Sequence, residues 1–213
     1  MTPTVPLTVR DIRGTARPTL EPSKAALIII DAQKEYAEGK LRLEKLQPAL
    51  AEITRLREWA RRHHVPVIHV RQFSPAGAPI FADGSRMAEF LPEADPAPGE
   101  TVVVKLYPNA FNRTTLEAHL EELGRSQLIL AGFMAHMCVD STARAGFDLD
   151  YDVFVDRSAT AERAIPAPDG KIVAAADILD GTMTVLNDRF AYVVRDVAEL
   201  ERLAAATVET RPD

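Results

Sequence analysis

The chain alternates between short, wholly apolar runs and longer stretches whose apolar positions recur every three or four residues. The clearest run is Ala25–Ile30, which ends in Asp31 and shows no polar alternation. A strand covered on both faces reads this way. From Glu44 to His64, Leu46, Leu50, Ile53, Leu56 and Ala60 recur at helical spacing with charges between them, which predicts an amphipathic helix. Further strands are predicted at 65–70, 101–105, 127–131, 151–155 and 191–194. Helices are predicted at 114–123 (closed by Gly124), 137–149, 170–187 and 197–206. Residues 1–23, punctuated by Pro3, Pro6, Pro18 and Pro22, read as an extended arm without regular helix. Residues 72–100, rich in Pro and Gly, read as one long loop, a lid or a subunit contact.

Strands alternating with helices imply an α/β fold: a three-layer, Rossmann-like, six-stranded parallel sheet with helices on both faces. The 213 residues suit one such domain, spanning 24–213 behind the arm. A formal charge of -6, with basic and acidic residues interleaved, gives no footprint for nucleic acid. No apolar run reaches membrane-spanning length, and the N-terminus lacks the apolar centre of a signal peptide. With one cysteine and no export signal, the expected compartment is the cytoplasm.

In a parallel sheet, ligands bind beyond the carboxyl ends of the strands. Asp31 ends the first predicted strand, Lys105 ends the third, and Cys138 follows the fourth. Together they suit nucleophilic chemistry. A helix start and a neighbouring ammonium lower a thiol's pKa, and a carboxylate takes its proton and hands it to a leaving amine. Taken singly, each has a plainer reading: a small buried hydrophobe, a turn cap and a solvated lysine.

Three motifs carry a resemblance: Leu27-Ile28-Ile29-Ile30-Asp31-Ala32-Gln33 with Tyr36; Val104-Lys105 with Asn109-Ala110-Phe111; and Gly132-Phe133-Met134-Ala135-His136-Met137-Cys138-Val139-Asp140-Ser141-Thr142-Ala143-Arg144. In this order and spacing the chain resembles the isochorismatase-like cysteine hydrolases over about residues 24–195. The resemblance implies a catalytic triad of Asp31, Lys105 and Cys138 and a covalent intermediate on the cysteine. It implies a cis peptide between Phe133 and Met134, with the N–H groups of Met134 and Cys138 facing an oxyanion. Sheet order 3-2-1-4-5-6, a small-molecule substrate and a homo-oligomer, dimer or larger, are implied as well. Tyr36 stands where the family usually has Phe, and Asp150 where it often has Gly.

The family's nicotinamidases bind a metal through an Asp-x-His pair and a further His after the second strand. Arg71-Gln72-Phe73-Ser74-Pro75 offers no such set, so neither metal nor other cofactor is expected; His63, His64 and His69 read as surface or core. The expected function is therefore metal-independent hydrolysis of a carbon–nitrogen bond in a small amide, ureido or lactam-like compound. The alternatives are a vinyl-ether hydrolase using Asp31 as acid, and a non-catalytic ligand-binding member of the fold. A dinucleotide-binding protein is disfavoured, because Asp31-Ala32-Gln33-Lys34 stands where a G-x-G-x-x-G would follow the first strand.

Substrate contacts are read from position. Gln33 either hydrogen-bonds substrate or orders its turn. Tyr36, Phe73, Phe111 and Met134 are candidate apolar walls, with core packing as the other reading. His136 is either a substrate contact and second proton carrier or a turn residue. Arg71 either faces a substrate carboxylate or is simply exposed.

Overall fold

The computed structural model describes residues 5–209, the last four as backbone only; the outermost residues of the arm and of the 24–213 domain lie outside the described residues. The strands are β1 (Ala25–Ile30), β2 (Val67–Gln72), β3 (Thr101–Lys105), β4 (Gln127–Gly132), β5 (Asp152–Thr160), β6 (Ile165–Pro166), β7 (Ile172–Val173) and β8 (Tyr192–Val194). The helices are α1 (Val9–Ile12), α2 (Leu46–Arg62), α3 (Leu116–Glu122), α4 (Asp140–Asp148), α5 (Ala175–Val185) and α6 (Val197–Glu209).

Six strands form one parallel sheet in the order β3-β2-β1-β4-β5-β8. The expected order stands; only the label of the last strand changes. β6 and β7 form a separate antiparallel pair with no counterpart among the predicted elements, since two-residue strands have no period to read. They also shorten the helix expected from residue 170, which begins at Ala175.

β1 shows why its run lacks alternation. Ala25, Leu27 and Ile29 pack against Leu50, Ile53 and Trp59 of α2. Ala26, Ile28 and Ile30 pack on the other face with Leu128, Val139 and Met183. Both faces are dry, so every position is apolar. Full burial of one such side chain contributes roughly 1.5–3 kcal/mol, so β1 anchors both halves of the core.

Two local expectations are corrected. The arm contains α1, which fits between Pro6 and Pro18; Thr8 caps it, accepting the Asp11 N–H while the Asp11 carboxylate takes the Thr8 N–H. β2 lies two residues further along than 65–70, because Pro66 precedes it and Arg71 and Gln72 continue the ladder opposite Val104 and Lys105.

The 72–100 segment is tied to its own chain. Arg57 on α2 donates to Glu93 O and Asp95 O, both at 2.7 Å. The Glu100 carboxylate takes the Ala97 N–H at 2.9 Å and meets His69 Nε2 at 2.7 Å. Burial works to raise the Glu100 carboxyl, but the Ala97 N–H, His69 and Arg57 outweigh it and hold it at about 2. His69 is thus a core residue that fastens the loop.

Candidate active site

The parallel sheet brings the ends of β1, β3 and β4 together, and the three candidate residues meet there. Lys105 Nζ lies 2.6 Å from Asp31 Oδ2 and 3.4 Å from Cys138 Sγ. The approach to Asp31 is an ion pair off the axis of an aligned hydrogen bond. Lys105 also donates to Gln72 Oε1 at 2.6 Å. Asp31 and Lys105 are essentially fully buried, and Cys138 is 4 % exposed. Buried charges persist only when paired, and this ammonium has a pairing partner and two further contacts.

The local backbone aims each group. Asp31 leaves β1 with φ 51°, a left-handed conformation that aspartate tolerates, and so turns its carboxylate out of the strand direction. The peptide bond between Phe133 and Met134 is cis. The next residues do not begin an α-helix as expected from 137. Ala135–Val139 form a π-helical turn in which the Val139 N–H reaches back to Met134 O at 3.2 Å, and α4 starts only at Asp140. Such turns recur at functional sites. Asp150 takes the left-handed conformation expected of a residue standing in for glycine, at φ 63°.

Gly132 makes the turn possible. Its φ is 113°, and a Cβ there would sit 2.0 Å from the carbonyl oxygen of Ile30. Gly132→Ala is expected to cost roughly 3 kcal/mol or more, through both the clash and the backbone conformation. Urea unfolding checks this; an unchanged midpoint would contradict the close approach.

The electrostatics revise one expectation. Burial raises the Cys138 thiol well above its ordinary range; Asp31 raises it further, and the opposing pull of Lys105 is smaller. The resting group is therefore a neutral thiol, and the lowering expected from a helix start and a neighbouring ammonium is outweighed. Burial also raises the Asp31 carboxyl, against the charge of Lys105. Burial acts to lower Lys105, but Asp31 and Cys138 outweigh it, so the ammonium is held charged.

The remaining candidates separate. Gln33 orders its turn: its Oε1 accepts the Gln72 N–H at 2.8 Å, and its Nε2 donates to Gln72 O and Ala88 O. Both amide donors are used, so it is corrected from the substrate contacts. Phe111 is corrected too. It stacks on Tyr151 and approaches Gly146 beside Leu128 and Val153. Those residues lie near the amino ends of β4 and β5, so the ring packs in the core, away from the strand ends that carry Asp31 and Lys105. Arg71 precedes Gln72 in β2, and because Gln72 reaches Lys105, alternation turns Arg71 to the opposite face. Phe73 continues the β2 ladder through its N–H to Lys105 O at 2.9 Å and is only partly buried. Met134 is buried on the α2 side, and its N–H has no protein acceptor among the described residues.

Tyr36 and His136 do approach the site. Tyr36 packs edge-on against Phe133 at 5.8 Å and Phe81 at 5.4 Å. His136, on the turn that carries Cys138, is held by Glu162 through its backbone N–H at 2.7 Å and its Nδ1 at 2.8 Å. Gln72 and Glu162 join the site without having been candidates. Gln72 had a readable signal, since it stands opposite Lys105 once β2 is extended. Glu162 had none, because it meets His136 only through the fold. Asn109 and Ala110 shape the turn after β3: Asn109 Oδ1 takes the Phe111 N–H, and Thr142 Oγ1 on α4 takes the Ala110 N–H.

Comparison with known proteins agrees with this geometry. The isochorismatase domain model matches residues 25–186. The chain belongs to the isochorismatase family. A secreted isochorismatase effector, Isc1, of Verticillium dahliae is 39 % identical over 183 residues, covering 84 % of this chain and 96 % of that one. The crystal structure of an isochorismatase from Pseudomonas putida KT2440 superposes with a TM-score of 0.86 at 39 % identity, covering 91 % of this chain and 99 % of that one. A streptothricin hydrolase of Streptomyces noursei is 30 % identical, covering 88 % of this chain and 65 % of its own length. Family relatives also include proteins named nicotinamidase and ureidoacrylate amidohydrolase, at 30 % and 27 % identity. This chain is an isochorismatase-family hydrolase, in a family whose members act on amide or ureido bonds. Among the described residues no helix is long and apolar enough to cross a membrane, and no group of three or more His, Cys, Asp or Glu is arranged to hold a metal ion.

Proposed function

We propose that this family member is a cysteine hydrolase that cleaves a carbon–nitrogen bond in a small amide, ureido or lactam-like molecule. The observation that carries the reading is the ammonium of Lys105 standing between a buried carboxylate and a buried thiol. Asp31 takes the Sγ proton as the sulfur forms a bond to the substrate carbonyl carbon. The carbonyl electron pair moves onto oxygen, where the N–H groups of Met134 and Cys138 receive it. Collapse breaks the carbon–nitrogen bond, and Asp31 returns the proton to the leaving nitrogen. Water then attacks the thioester, gives its proton to Asp31, and displaces the sulfur, which recovers that proton.

Because the thiol is neutral at rest, proton transfer and attack occur together, and Lys105 offsets the negative charge passing between sulfur and carboxylate. A free thiol at this position suits a reducing compartment, the cytoplasm.

Acid quenching during turnover of small amides and ureido compounds is expected to leave an acyl adduct on Cys138, read by peptide mass spectrometry. Turnover with no adduct, under a quench faster than turnover, would overturn the covalent route. The same substrates give a pH test. Asp31 must be unprotonated to act, and burial raises its carboxyl, so kcat/KM falls on the acid side at a pH above the ordinary aspartate value of about 3.9.

A further inference from the structure

We propose that Gln72 is a positioning residue for this reaction: its side-chain carbonyl, locked in one orientation, holds the Lys105 ammonium at Cys138, and its neutrality leaves the charge of that ammonium to the thiol and Asp31. The proposal rests on the reading of Cys138 as the nucleophile.

Parallel pairing sets Gln72 opposite Lys105 at the carboxyl ends of β2 and β3. Of the other contacts of Lys105 Nζ, that to Asp31 is off axis and that to Cys138 is long, at 3.4 Å. The bond to Gln72 Oε1, at 2.6 Å, is the one aligned hydrogen bond from this ammonium to an oxygen among the described residues, so it sets where Nζ points. The amide itself has no freedom. Its Nε2 donates to Phe73 O at 3.1 Å and to Leu106 O at 3.2 Å. Exchanging its oxygen and nitrogen would turn Oε1 on two carbonyls and an NH₂ group on an ammonium. The backbone is pinned as well. Gln33 takes the Gln72 N–H and donates to Gln72 O, and is itself anchored on Ala88 O of the 72–100 segment.

Bracing the backbone beyond β2 and β3 needs only Nε2. Oε1 has no part in that task and is spent on Lys105. It supplies a dipole without a charge. Asp31 is the one carboxylate within ion-pair distance of Nζ among the described residues, so a single cation serves one acid and one thiol. An ammonium released from Gln72 closes on Asp31, which draws it off the sulfur and makes the carboxylate a weaker base. A carboxylate at position 72 takes the cation from both. Either change lowers kcat, because the negative charge passing from Sγ to Asp31 is offset less, and neither draws on substrate binding. The titratable groups facing Lys105 are Asp31 and Cys138; those facing Asp31 are Lys105 and Cys138, with Tyr36 near both acids.

Two variants test this. Gln72→Met keeps the length and removes the acceptor; Gln72→Glu keeps the acceptor and adds a charge. With the fold confirmed by circular dichroism, both are expected to lower kcat on small amides ~10- to 100-fold with KM within ~3-fold. The acid limb of kcat/KM separates them. It is expected to move down by about 1 pH unit in Gln72→Met, where the ammonium closes on Asp31, and up by about as much in Gln72→Glu, where a second carboxylate opposes ionisation of the first. Alkylation of Cys138 by iodoacetamide at pH 8, followed by mass spectrometry, needs no turnover. It is expected to slow at least ~3-fold in both variants, because the thiolate loses its cation; a merely structural role would loosen the site and speed it. Unchanged kcat in both variants, acid limbs that move together or not at all, or faster alkylation overturns the proposal. Cys138→Ala reports on the nucleophile by itself. Activity surviving there removes the nucleophile reading, whereas an inactive Cys138→Ala beside fully active Gln72 variants removes only this one.

Discussion

Replacing Cys138 by alanine is expected to lower kcat on small amides by ~10³-fold or more, the scale on which removal of a triad nucleophile acts. The substitution removes one sulfur from a position that is 4 % exposed, so folding is expected to survive, with a loss of about 1 kcal/mol. The pair of Asp31 and Lys105 remains, and so do the N–H groups of the turn, so any residual rate reads what positioning alone supplies. Cys138→Ser is the sharper control, because its hydroxyl keeps the hydrogen-bonding role while being a weaker nucleophile. Rates for both variants, with circular dichroism to confirm the fold, decide the matter. Full activity in the alanine variant would remove Cys138 from the chemistry and favour an acid role for Asp31.

The second large effect lies away from the site, on stability. Asp156 in β5 is fully buried. Its Oδ1 accepts the Ala159 N–H at 3.0 Å, while Oδ2 has no partner among the described residues. Burial is the main cause raising its carboxyl to about 7, and the nearby charge of Glu52 adds to it. Glu52 cannot turn away, since its Oε1 caps the start of α6 through the Val197 N–H at 2.6 Å. A carboxyl raised in the folded state favours folding below its unfolded pKa, and that contribution is lost as pH rises from about 4 through 7. Asp156→Asn keeps the Oδ1 acceptor and carries no charge. It is expected to stabilise the protein at pH 8 by up to about 4 kcal/mol, since each tenfold difference in proton affinity between the folded and unfolded chain is worth roughly 1.4 kcal/mol. At pH 4 the gain is expected to vanish. Urea unfolding of both proteins at the two pH values measures it, and equal stability at pH 8 would show that Asp156 ionises at no cost.

Much of the fold was legible because burial writes itself into the chain. β1 and β3 were readable to the residue, and α2 to within two residues at each end: β1, dry on both faces, is an unbroken apolar run, β3 is a β-branched run ending in Lys105, and α2, dry on one face, shows a helical period. The errors fall where period is absent or misleading. α1 has four residues and announces itself only through the Thr8–Asp11 cap. β6 and β7 are too short to alternate. The π-helical turn carries the same residues an α-helical turn would, and differs only in which carbonyl the Val139 N–H meets.

What the sequence determined by itself is the chemistry on offer and its address: a carboxylate, an ammonium and one thiol at the carboxyl ends of neighbouring strands, in an α/β fold of the isochorismatase family. What only the tertiary structure decided is the state and company of those groups. Gln33 proved to brace the backbone of Gln72, and Gln72 proved to hold Lys105, because parallel pairing sets residue 72 opposite residue 105. Glu162 came to His136 across 26 residues. The thiol, whose pKa a helix start and a neighbouring ammonium were expected to lower, is instead pushed up by burial and Asp31. The physical reason is common to all three. Residue types and strand ends follow from local burial, which a sequence records. Hydrogen-bond partners and protonation states follow from distance and desolvation, which exist only once distant segments have closed around each other.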